Sequence, residues 1–173
     1  MRVVQPRAGF PEWLIFVGAG LFTVVLIVSA VFDARIRWLH FFQAWMYVAT
    51  ILLTLRRNKW GYFIGTSAAA LWDYVNLFAT SFFRNGLHQL SLWIETGVLR
   101  HADQMIAVPA WFSNLIVVIG CVWAYLRRTD KSGSDLGRFA IAFVSSTGFF
   151  AGAIALFSPR YLVIFRRLIG LPG

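Results

Sequence analysis

Asp73 stands near the middle of the apolar run Gly61–Phe83, GYFIGTSAAALWDYVNLFATSFF. A charged residue at the centre of a membrane helix costs roughly 2.5–3.5 kcal/mol on insertion scales. Something must offset that cost, or the acid is neutral. Steps of four from Gly61 give Gly65, Ala69 and Asp73. Small residues on that stripe let a neighbouring helix come close on the side of the acid. Thr66 lies seven positions before Asp73, and Asn76 and Thr80 extend the polar side toward the far end of the run. Other runs offer partners: Gln43 and Tyr47, Asn114, and the group Ser145, Ser146 and Thr147. Gly148 and Gly152 add a second face expected to pack closely. Asp73, Asn76, Thr66, Gln43, Tyr47 and Asn114 therefore form the expected site for a proton, a cation or a small polar solute. The competing reading is a protonated Asp73 that bonds a hydroxyl and locks two helices together.

A second constellation is defined by position. His40, His88 and His101 are expected at one membrane face, with Asp33, Glu95 and Asp103 beside them. Imidazole and carboxylate together suit zinc, copper or iron. No HExxH spacing is present, and interfacial histidines and acids are also ordinary solvated residues. A haem held by two histidines wants its ligands within facing helices, and only His40 adjoins a helix proper. No cofactor is predicted, with a metal or haem at His40, His88, His101, Glu95 and Asp103 as the minor alternative. There is no GxSxG turn, no P-loop and no dinucleotide glycine fingerprint; Gly18-Ala19-Gly20 is a fragment inside an apolar helix.

These residues are carried by stretches of membrane length. The 173 residues suit one domain. They are 59% hydrophobic and 13% charged. A soluble fold of this size could not hide so much apolar surface. About twenty residues at 1.5 Å each match a hydrocarbon core of roughly 30 Å. Spans are expected at about 13–32, 39–55, 61–83, 105–125 and 139–157. The first could also be read as a cleavable signal peptide, with Val28-Ser29-Ala30 as the cut site, and is taken here as a retained helix. Residues 87–100 are too polar to span. Leu87, Leu90, Ile94 and Val98 recur there at helical spacing, which predicts an amphipathic helix along the interface. The tail 159–173 alternates basic and apolar residues and is expected on the membrane surface. The expected fold class is thus all-α: a polytopic transmembrane helix bundle of about five spans plus an interfacial amphipathic helix, in one integral membrane domain over 1–173. Trp13, Trp38, Trp60 and Trp111 suit the headgroup level; Trp72, beside Asp73, lies deeper.

The net charge of +9 does not point to nucleic acid, because the basic residues fall between apolar runs, as RRNK at 56–59 and RR at 127–128. Cys121 is the only cysteine, which excludes an intrachain disulfide and a thiolate metal site. Two interhelical basic clusters, at 56–59 and 127–138, share a side with the N-terminus. The positive-inside rule then makes the N-terminus cytoplasmic and the C-terminus external. Short loops without glycosylation signals suit a bacterial inner membrane. The leading expectation is a transporter or channel subunit, more a binding protein than an enzyme, with membrane lipids and a second copy or a larger membrane complex as partners. An accessory or structural subunit of such a complex is the first alternative. A membrane redox or metal enzyme is the second.

Overall fold

The computed structural model describes residues 8–163. Among them there is no strand, and the chain is an all-α helical bundle. Seven α-helices follow one another: α1 (Phe10–Phe32), α2 (Arg37–Leu55), α3 (Lys59–Tyr74), α4 (Phe82–Thr96), α5 (Ala102–Met105), α6 (Ala107–Arg128) and α7 (Asp135–Phe157). Four helices are long and apolar enough to cross a membrane: Phe10–Phe32, Ala34–Leu55, Ala102–Arg128 and Asp135–Phe157. The chain is therefore read as an integral membrane protein.

Helix boundaries follow local chemistry. Pro11 opens α1, where a missing N–H costs nothing. Asn58 caps α3, its Oδ1 accepting from the Trp60 N–H at 3.0 Å. Arg57 turns the chain between α2 and α3 in the left-handed region, at φ 54°. Gly97 ends α4 at φ 68°, and its N–H donates to the Trp93 carbonyl.

The third run departs from expectation. α3 has sixteen residues, about 24 Å at 1.5 Å per residue, and is short for a span. A π-helical turn, Val75–Ala79, continues it, and Thr80 is extended. The helical run thus ends at Ala79 rather than Phe83, because Phe82 already begins α4. Asp73 consequently stands in the last turn of α3, just before the π turn and six residues short of Ala79. The amphipathic helix occupies 82–96 rather than 87–100. Its Phe82, Leu87, Trp93 and Ile94 are exposed, which leaves an apolar side free for lipid. Of the tail, only 159–163 lies within the described residues.

α3 and α6 form the middle of the bundle. α1 packs along α6, α2 along α1 and α3, and α7 along α3 with a smaller contact to α2. Close approaches occur where glycine permits them. A Cβ at Gly18 would lie 2.8 Å from the Ser113 carbonyl oxygen, and one at Gly65 would lie 2.7 Å from both Cys121 Sγ and Thr50 Cγ2. Gly148 and Gly152 behave differently from the expectation of a packed face. Nothing stands within 4 Å of a Cβ at either, because α7 presents that face outward.

Candidate functional site

A cavity of about 480 Å³ lies among α1, α2, α3, α6 and α7, with the start of α4 at its edge. That is the size of a small-molecule pocket. Its walls are apolar, with Phe22, Leu26, Leu39, Leu71, Phe150 and Ile154 among them. Exposed Arg35, Asn85 and Asp103 also line it, so it opens at the face carrying the α1–α2 turn. Three buried polar side chains face this apolar space: His40, Gln43 and Asn76.

Local folding places each of them. His40 and Gln43 are three apart on α2 and share its inward face. Asn76 sits in the π turn, and π turns recur at functional sites because they re-aim side chains. Its Nδ2 donates to the Trp72 carbonyl at 3.1 Å, which leaves Oδ1 buried without a protein partner. Gln43 Oε1 is likewise buried and unpartnered. His40 Nδ1 lies 3.2 Å from the Leu26 carbonyl oxygen. A carbonyl only accepts, so Nδ1 carries the proton and donates, and the neutral ring keeps an acceptor at Nε2. The buried polar lining thus holds two amide oxygens without protein partners, which O–H or N–H donors would satisfy, beside the Gln43 amide N–H donors.

The six residues expected to share one site separate into four places. Gln43 and Asn76 line the cavity. Tyr47 and Asn114 lie behind it in the packed interior, where the phenol O–H donates to Asn114 Oδ1 at 2.6 Å. Asn114 Nδ2 donates in turn to the Ala110 carbonyl. Asp73 does not line the cavity. It is half-buried, and its Oδ1 has no hydrogen-bond partner. Thr66 sits farther along α3, within hydrogen-bonding reach of the Cys121 thiol. Ser146 and Thr147 hydroxyls are buried without partners and do not reach the cavity lining.

The five residues of the alternative metal reading are not brought together. Among the described residues no three His, Cys, Asp or Glu side chains come together. His40 is buried on α2, whereas His88 and Glu95 are exposed on α4, where Glu95 accepts from Ser91 at 2.6 Å. His101 and Asp103 are exposed around the start of α5. Shared depth is not shared location. Of the five, His40 and Asp103 belong to the cavity lining instead.

At the mouth, Asp33 accepts from the Arg35 side chain and backbone N–H and lies 3.5 Å from Arg160. The Arg35 hydrogen bonds hold its carboxyl down at about 2. Thr50 and Thr54, also buried on α2, went unnoticed in the sequence, although they continue the three-and-four spacing of His40, Gln43 and Tyr47. No family model matches this chain, and neither a curated protein nor a solved structure matches it.

Proposed function

We propose that this chain is a small membrane transporter or channel subunit that binds a polar solute in the cavity between α2, α3 and α7. The observation that carries this reading is the pair of buried, unpartnered acceptors, Gln43 Oε1 and Asn76 Oδ1, on residues in the deeper, mostly apolar part of the cavity wall. Leaving such groups unsatisfied costs about 1–3 kcal/mol each, and a small turn of either amide would present its oxygen to a donor-bearing occupant. The solute has an apolar body, matched to the phenylalanine and leucine walls, and at least one hydroxyl or amine head. Recognition shifts from Asp73 to Gln43 and Asn76, with His40 as a further acceptor. A cavity open at one face and packed shut toward the other suits a carrier caught in one access state. With the N-terminus cytoplasmic, the mouth faces outward.

Native mass spectrometry of the protein, purified in mild detergent from its own membrane, tests the reading. The wild type should carry a bound small molecule, and Gln43→Leu or Asn76→Leu should lose most of it, roughly tenfold for each hydrogen bond removed. An empty wild type, or equal occupancy in both variants, defeats the reading. The accessory-subunit reading has its own observation: Gly148 and Gly152 leave an open groove on the outward side of α7, suited to a helix of a second copy or of another subunit.

A further inference from the structure

Among the described residues, three charged side chains line the cavity: Asp33, Arg35 and Asp103. Arg35 is committed to Asp33. It donates to that carboxylate from Nε at 2.9 Å, from Nη2 at 3.2 Å and from its backbone N–H at 2.9 Å. Arg160 is not among the lining residues and approaches the same carboxylate at 3.5 Å. Asp103 differs from both. Among the described residues it makes no ion pair and no hydrogen bond. The one lining charge without a counter-charge is therefore negative, in a chain whose net charge is +9.

The uncharged lining can serve a cation as well. Gln43 Oε1 and Asn76 Oδ1 accept from no protein group, and a small turn of either amide brings its oxygen to the cavity. The neutral His40 ring keeps an acceptor at Nε2, because Nδ1 donates to the Leu26 carbonyl. Six of the described lining residues are aromatic: Phe22, Phe32, Trp72, Phe82, Phe150 and Tyr161. The face of an aromatic ring attracts a cation, and more strongly where water is scarce. Tyr161 already holds one this way, with the Arg160 guanidinium 4.7 Å from its ring centroid. An anion would meet the reverse. It would have to draw Arg35 off Asp33 and lose its water beside unpartnered oxygens.

We propose that the occupant of this cavity is an organic cation: a protonated amine on an apolar body. The proposal rests on the cavity binding a polar solute, and it narrows the class of that solute. Asp103 gathers the ammonium at the mouth and compensates its charge there. Farther in, the amide oxygens of Gln43 and Asn76 accept its N–H groups, and the apolar body lies against Phe22, Leu71 and Phe150. A cation buried without such partners would be costly. The need for N–H donors favours a primary or secondary amine over a quaternary one.

The test measures binding of four naphthalene probes by titration calorimetry. It uses the full-length protein in nanodiscs, with the signal of empty nanodiscs subtracted. The probes share one ring system and end in a methylamine, a methanol, a carboxylate or a methyl-trimethylammonium group. The methylamine should bind at least about tenfold tighter than the methanol, and the carboxylate should bind most weakly. The trimethylammonium should fall below the methylamine. Asp103→Asn should cut the preference for methylamine over methanol at least about threefold and leave methanol binding unchanged. Asp103 is exposed, so that substitution spares the packed interior. Gln43→Leu should weaken methylamine and methanol together. A methanol or carboxylate that binds as tightly as the methylamine overturns the proposal, as does a preference left intact in Asp103→Asn, or no binding by any probe. Native mass spectrometry keeps this apart from the broader reading. A neutral or acidic molecule carried by the wild type and lost in Gln43→Leu would sink the cation and leave the solute site standing.

Discussion

Tyr47 joins α2 to α6 at the centre of the bundle. Its ring packs 4.5 Å from Phe22, and its hydroxyl reaches Asn114 across the helix interface. Hydrogen bonds between membrane helices average about 0.6 kcal/mol and reach about 1.7. Tyr47→Phe keeps the ring, removes one such bond and leaves Asn114 Oδ1 without its donor. The expected loss is about 1 kcal/mol, read as a small fall in unfolding midpoint in mixed detergent, with the bundle still folded. A loss of about 4 kcal/mol would mean that the phenol holds more of the core than one hydrogen bond can. Asn76 is the other single residue on which the site turns. Asp73, three positions earlier, does not line the cavity.

At the scale of the element, α3 and α7 both carry small residues, and packing uses them in opposite ways. Gly61 and Gly65 are buried where α3 meets α2. Gly148 and Gly152 face away from the bundle. Gly65→Leu would drive a side chain into Thr50 and Cys121 and should cost at least about 2 kcal/mol, as overpacking does. Gly148→Leu should change monomer stability by no more than about 0.5 kcal/mol. Thermal melts of the two variants side by side make the comparison; equal losses would contradict this packing. The π turn after α3 is the second device at this scale. It ends the third run early, turns the chain into α4, and carries Asn76 to the cavity.

The whole molecule has two unlike ends. At one, the buried Asp135 carboxylate accepts from Lys59 at 2.9 Å, Tyr125 at 3.1 Å and Ser132, tying together the starts of α3 and α7 and the end of α6. Lys59 also donates to the Asp130 carbonyl. At the other end, the cavity mouth is held by the more exposed Asp33, paired with Arg35 and with Arg160 after α7. Asp33 is held at about 2, below the ordinary 3.8, chiefly by Arg35. A depressed carboxyl contributes above its ordinary value and loses that contribution as pH falls, here from about 4 through about 2. Hydrogen exchange in peptides covering 158–163 should quicken across that window, and Asp33→Asn should quicken it already at neutral pH. No change in either would separate Arg160 from the mouth.

Composition and run length were enough to establish the all-α membrane bundle, because lipid selects apolar stretches of a fixed length and the chain offers them in plain order. The inward faces of the helices were legible only in part. His40, Gln43 and Tyr47 declared themselves by spacing, and Thr50 and Thr54 would have followed by continuing it. What no spacing reveals is the rotation and register of one helix against another. Tertiary packing decided that Asp73 is not part of the cavity lining, that His40 is separated from His88 and His101, and that Gly65 is buried while Gly148 is open. The physical reason is that hydrophobicity sets how deep a segment lies in the bilayer, whereas contacts between helix surfaces set which side chains meet.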